Sequence, residues 1–127
     1  MSKENLNLGK AGEKEAVRFL KDRGYKLLRQ NYKTKLGEID IVAWDGETLC
    51  FIEVKTRSSC LFGHPAEALT QDKQRKLSQL ALIFLKEHNL INKKARFDVV
   101  TIIHSNDKPL DFKLIKDAFP LDESFTY

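Results

Sequence analysis

Gly37 to Arg57 reads GEIDIVAWDGETLCFIEVKTR, and the fold turns on this stretch. Apolar and polar residues alternate on both sides of Asp45-Gly46, a dipeptide that marks a two-residue hairpin turn. The pattern predicts one strand from Gly37 to Trp44 and a returning strand from Thr48 to Arg57. With Asp45-Gly46 as the turn, Trp44 faces Glu47, Asp40 faces Phe51 and Glu38 faces Glu53. Glu38, Asp40, Glu53 and Lys55 then project from one face, and Ile39, Ile41, Cys50, Ile52 and Val54 from the other. Like charges directly opposed on a sheet are destabilising. Three carboxylates beside one lysine make sense where a hard cation sits among the oxygens. A solvated hairpin face with one salt bridge is the competing reading.

Upstream, residues 8–23 read as a helix that Gly24 stops. Ala16, Val17 and Leu20 form its apolar stripe, and Glu13 lies on that stripe, whereas Lys14, Arg18, Lys21 and Asp22 lie opposite. An inward carboxylate is costly unless paired or metal-bound. Alternatively, Glu13 near the helix N-terminus simply favours the dipole. Gly9, Ala11, Gly12 and Ala16 are small, which lets the helix approach a neighbour closely. Tyr25 to Gln30 is a candidate strand. Downstream, Ser58 to Pro65 reads as a loop. Thr70 caps a helix running to about Glu87, with Leu77, Leu80, Ala81, Phe84 and Leu85 at helical spacing. Arg96 to His104 and Leu110 to Leu114 are further strands, followed by a turn and a loose tail from about residue 118. The expected architecture is α/β, a central mixed β-sheet flanked by helices in the order α-β-β-β-α-β-β, in one domain over residues 1–127.

Composition agrees with a globular chain: 42% hydrophobic and 31% charged residues exclude disorder. No signal peptide or membrane-length apolar run is visible, so a cytoplasmic protein without a membrane partner is expected. Cys50 and Cys60 lack zinc-like or CxxC spacing and read as reduced thiols, Cys50 in the core. Net charge is +4. From Asp107 onward five acids outweigh three lysines, so the preceding body holds the basic excess, which suits a phosphate backbone. Lys73, Arg75 and Lys76 crowd the start of the second long helix, where cations oppose the dipole. Approaching phosphates would explain them, and so would a solvated helix face. Lys33 and Lys35 are similar candidates. His64 and His104 read as structural or surface residues, Arg96 and Asp98 as an ion pair, and Trp44 as exposed at the hairpin tip.

The runs Gly37-Glu38-Ile39-Asp40-Ile41-Val42-Ala43 and Phe51-Ile52-Glu53-Val54-Lys55-Thr56-Arg57 resemble the core of the PD-(D/E)xK nuclease superfamily, with its restriction-endonuclease-like fold. More narrowly, with Gly9-Lys10-Ala11-Gly12-Glu13, Ala66 to Leu77, Arg96-Phe97-Asp98-Val99-Val100 and Ala118-Phe119, nearly the whole chain resembles the YraN-like family of small bacterial proteins, related to archaeal Holliday-junction resolvases. Ile39 stands where the superfamily pattern has proline. The resemblance implies a Mg²⁺-dependent endonuclease, with Mn²⁺ as a substitute, cutting DNA that is branched or damaged. A nuclease fold kept for nucleic-acid binding without turnover is the alternative. Asp40, Glu53 and the Val54 carbonyl would be metal ligands and Glu13 an outer one. Lys55 would steady the attacking water or the phosphate. Arg57, Lys33, Lys35, Lys73, Arg75 and Lys76 would hold nucleic acid. A junction-cleaving member would act as a homodimer.

Overall fold

The computed structural model describes residues 3–58, 69–105 and 108–121, with the backbone alone for residues 3–11. Cys60, His64 and most of the loop expected up to Pro65 lie outside the described residues. The elements are α1 (Lys3–Asp22), β1 (Lys26–Thr34), β2 (Gly37–Asp45), β3 (Thr48–Arg57), α2 (Gln71–Glu87), β4 (Ala95–Ile103) and β5 (Asp111–Ile115). The strands form one mixed sheet in the order β1-β2-β3-β4-β5. Among the described strands only β3 and β4 pair in parallel. A parallel pair needs a long crossover, and α2 provides it. The expected α/β order is thus the observed one.

Two apolar clusters cover the two faces of the sheet. On one face α2 sets Leu77, Leu80, Ala81, Phe84 and Leu85 against Val42, Leu49, Phe51, Phe97 and Val99. On the other, Ala16 and Leu20 of α1 meet Ile41, Ala43, Cys50, Ile52, Val100 and Ile102. Successive residues of β3 and β4 alternate between the clusters, as a strand buried on both sides requires. α2 begins as expected, with the Thr70 hydroxyl accepting from the Lys73 N–H at 3.2 Å. Cys50 is a buried free thiol, and burial pushes it up to about 12.

Four expectations are corrected. The hairpin turn is Gly46-Glu47, because Asp45 pairs with Thr48 and Gly46 takes φ +60° at the first loop position. This slides β3 by two residues against β2, so the side chains of the paired stretches Ile41–Asp45 and Thr48–Ile52 keep their faces. Second, Ile39 does not share a face with Ile41: it joins Tyr32 in the α2-side cluster, whereas Ile41 lies on the α1 side. The β2–β3 ladder ends at Ile41↔Ile52, and Asn31, between the pairs Gln30↔Ile41 and Tyr32↔Ile39, has φ +54°. The regular pleat is therefore broken at Asp40. Third, Trp44 is half-buried against the α2-side core and not exposed at a tip. Fourth, the segment after Asp117 is docked as far as Leu121: Ala118 N–H donates to the Phe97 carbonyl at 2.7 Å, and buried Phe119 stacks on Phe97 at 4.4 Å.

At the end of the sheet near the β2–β3 turn, a polar network joins four segments. Asp98, 1% exposed, accepts from Tyr25 Oη (2.8 Å), Arg96 Nε (2.8 Å), and Asp117 N–H (3.0 Å). Arg96 also donates to Asp45 at 2.8 Å, and Lys116 reaches the same carboxylate at 3.2 Å. A buried carboxylate so fully partnered becomes a liability only when one partner goes. Asp98→Ala should therefore destabilise the protein by about 3–5 kcal/mol, leaving a half-buried guanidinium short of its partner. Urea unfolding checks this, and a loss below about 1 kcal/mol would contradict the network's role.

Candidate functional site

The end of the sheet opposite the Asp98 network gathers the chain's charged candidates. Asp40 comes from the first half of β2, Glu53 and Lys55 from the second half of β3, and Glu13 from the middle of α1, beside Gly12. A Cβ at Gly12 would stand 2.8 Å from Thr56 Oγ1, so the helix lies against the end of β3 because this residue has no side chain. That contact brings Glu13 to the sheet. One carboxylate oxygen from each of Glu13, Glu38 and Asp40 lies within 4.8 Å of the other two.

The strands separate just past Ile41↔Ile52, and there the Val54 N–H donates to Asp40 Oδ2 at 2.8 Å. That bond draws Asp40 against β3. Burial raises Asp40 above its ordinary value, opposed by the Val54 N–H. Glu53 is 8% exposed, and its Oε1 is buried with no hydrogen-bond partner among the described residues. Burial, and next the charge of Asp40, push Glu53 up to about 7. Glu13 is likewise raised, by burial and then by Asp40 and Glu38. Lys55 is lowered by burial and then by Lys73, whose ammonium lies against it. Buried carboxylates raised together lack enough positive charge around them.

The expected quartet Glu13, Asp40, Glu53 and Lys55 thus converges in space. Val54 joins it through its N–H. Three further residues belong here. Glu38 completes the carboxylate trio. Lys73, expected only as a phosphate contact, acts on Asp40, Glu53 and Lys55. Asn31 had no expected role. With its amide nitrogen turned to the carboxylates, the orientation that satisfies both, it donates to Glu38 Oε1 at 2.9 Å and Glu13 Oε2 at 3.1 Å. An asparagine inside a strand was the available sign, since it is among the few residues at ease with positive φ.

The other basic candidates divide. Lys33 pairs across β1–β2 with Glu38 and its charge reaches Glu13, and Lys35 is exposed in the turn that follows. Arg57 is half-exposed at the end of β3. Lys76 forms an exposed ion pair with Asp72 at 3.5 Å along α2. Arg75 is exposed and lines a hollow of about 260 Å³ with Gln71, Gln74, Ser78, Pro120 and Leu121.

An oxygen-only donor set with an orphaned buried carboxylate oxygen fits a hard divalent cation. It also has a consequence for stability. Glu53 titrates near 7 when folded and near its ordinary 4.5 when unfolded. Between those values the folded chain holds the extra proton, so stability is greatest below the window and falls as pH rises through it. The loss should be on the order of a few kcal/mol. Thermal unfolding between pH 5 and 8 without divalent cations should show this fall, and Glu53→Gln should flatten it. A parent protein that grows more stable toward pH 8 would contradict the assignment.

A family model described as "Uncharacterised protein family UPF0102" matches residues 12–102, from Gly12 beside Glu13 to the end of β4. The chain is 48% identical over 113 residues to a UPF0102 protein of Caldicellulosiruptor saccharolyticus, covering 88% of this chain and 96% of that one. It is 44% identical over 118 residues to one of Syntrophus aciditrophicus, with 93% and 92% covered. For one of Geobacter metallireducens the figures are 45% over 121 residues, with 95% and 98% covered. The likeness therefore spans whole chains and both helices, not the acidic hairpin alone, and the chain belongs to the protein family UPF0102.

Proposed function

We propose that this protein is a Mg²⁺-dependent endonuclease of the PD-(D/E)xK type that hydrolyses phosphodiester bonds in DNA. The observation that carries the reading is the unpartnered Glu53 Oε1, buried beside Asp40, where β2 adds Glu38, β3 adds Lys55 and α1 adds Glu13. Folding alone gives no reason to collect these acids. Asp40 and Glu53 would hold the cation, with Glu13 and Glu38 on its outer side and the Val54 carbonyl as a further oxygen. When bound, such a cation supplies positive charge to the phosphate and lowers the pKa of water it holds.

The chain's own residues supply the rest. In hydrolysis a water oxygen bonds to phosphorus as the bond to the leaving sugar oxygen breaks, and negative charge grows on the phosphate oxygens. The Lys55 ammonium, half-buried between Glu53 and Lys73, is a fixed charge beside that phosphate. Lys73 adds a second. Lys33, Lys35 and Arg57 flank the acids at the same end of the sheet and would track the backbone on either side. Lys76, paired to Asp72, contributes less. Among the described residues no helix is long and apolar enough to cross a membrane.

Two outcomes are expected. Asp40→Asn and Lys55→Ala should each reduce Mg²⁺-dependent cleavage by orders of magnitude while DNA binding survives, because the losses fall on the transition state. The assay is incubation with linear, nicked, flapped and four-way DNA, with Mg²⁺, Mn²⁺ or chelator. No cleavage by the parent protein on any form would leave a binding protein with a retained nuclease fold. Separately, Lys33→Ala with Lys35→Ala should weaken DNA binding and shallow its salt dependence by about one to two in slope, since each phosphate contact contributes roughly 0.9. Lys76→Ala should change it little. A salt titration in which Lys76→Ala has the larger effect would reverse this map of the surface.

A further inference from the structure

We propose that Asn31 positions the cation-binding acids, joining Glu13 of α1 to Glu38 of β2 before an ion arrives. This deepens the metal-dependent reading above and rests on it.

Asn31 lies inside β1, where regular strand geometry has φ near −120° to −140°. It adopts φ +54° instead. Such a conformation persists in a non-glycine residue only where its surroundings determine it. Asn31 sits across from Asp40, between the pairs Gln30↔Ile41 and Tyr32↔Ile39. Tyr32 is held in the α2-side core, edge-on to Phe84 at 5.1 Å and donating to Glu87 at 3.1 Å. The strand is thus anchored immediately after the distortion. The distortion places one amide group between two carboxylates on different elements, at 3.1 and 2.9 Å.

The chemistry of the amide suits this task. Its two N–H bonds serve one carboxylate each, and each carboxylate keeps a second oxygen for another partner. Being neutral, it eases the repulsion of Glu13 and Glu38 without cancelling the charge that draws a cation. A lysine there would neutralise the trio and compete with the ion. Glu53 Oε1, outside the amide's reach, is the independent sign that the pocket awaits a positive partner.

The test uses the full chain and Mn²⁺ alone, followed by titration calorimetry. Asn31→Gly suits positive φ, so the backbone keeps its path while the amide is lost. Mn²⁺ affinity should fall roughly 10–100-fold, the usual effect of removing a group that orients metal ligands, with circular dichroism and cooperative unfolding intact. Adding Asn31→Gly to Glu38→Ala should cost much less than adding it to the parent, because the amide then has one acid left to hold. A merely structural role would give the same loss in both backgrounds. Parent-like Mn²⁺ affinity in Asn31→Gly, or equal losses in both backgrounds, would overturn the role of Asn31 alone. A parent protein that binds no Mn²⁺ would overturn it together with the metal-dependent reading.

Discussion

Mutual repulsion among carboxylates is the constraint around which this end of the molecule is arranged. Glu13, Glu38 and Asp40 offer oxygens within 4.8 Å of one another, and Glu53 stands behind Asp40 with a buried, unpartnered oxygen. Nothing in a hydrophobic core would assemble such a group, and each shift in Glu13, Asp40 and Glu53 is upward. The fold tolerates it through local departures from regularity. The strands part after Ile41↔Ile52, the Val54 N–H turns to Asp40, Asn31 takes a left-handed backbone, and Gly12 lets α1 close on Thr56. Each of these lies within one residue pair of an acid.

The rest of the structure holds those departures in place. β3 and β4 are buried on both faces between α1 and α2. The aromatic group of Tyr32, Phe51, Phe84 and Phe97 fixes α2 over the sheet. At the far end, Asp98 and Arg96 tie Tyr25, Asp45 and Asp117 to β4. The contrast between the ends is instructive. There a buried carboxylate has every oxygen satisfied, which is how a structural charge is kept. Here a buried carboxylate oxygen is left open, which is how a binding site differs from a structural one.

Much of this was legible in the amino-acid order, for identifiable reasons. The Thr48 to Arg57 strand and the Thr70-capped helix to Glu87 were read to the residue or nearly so, because alternation, a cap and a helical stripe are local signals. The closeness of Asp40 and Glu53 survived a wrong turn position, because the error was an even number of residues. Ile39 was misplaced for a different reason: alternation assumes an unbroken pleat, and the pleat breaks beside Asn31, whose φ is +54°. Lys73 was seen as a helix-surface cation because its partners Lys55, Glu53 and Asp40 are distant in sequence, on β3 and β2. Docked Phe119 was read as tail because its stacking on Phe97 is a tertiary contact with no periodic trace. The elements were local information, and the irregularities that make the site were not.

The central claim is that the acids at Asp40 and Glu53 are gathered to hold a divalent cation. The most direct measurement is anomalous diffraction from crystals of the full chain grown with Mn²⁺. The account predicts one strong peak among the carboxylates of Asp40, Glu53, Glu38 and Glu13, absent from Asp40→Asn crystals grown the same way. Saturating Mn²⁺ with no peak there, while Lys55 or Lys73 closes on Glu53 Oε1 as a direct ion pair, would show a structural charge cluster and contradict the account.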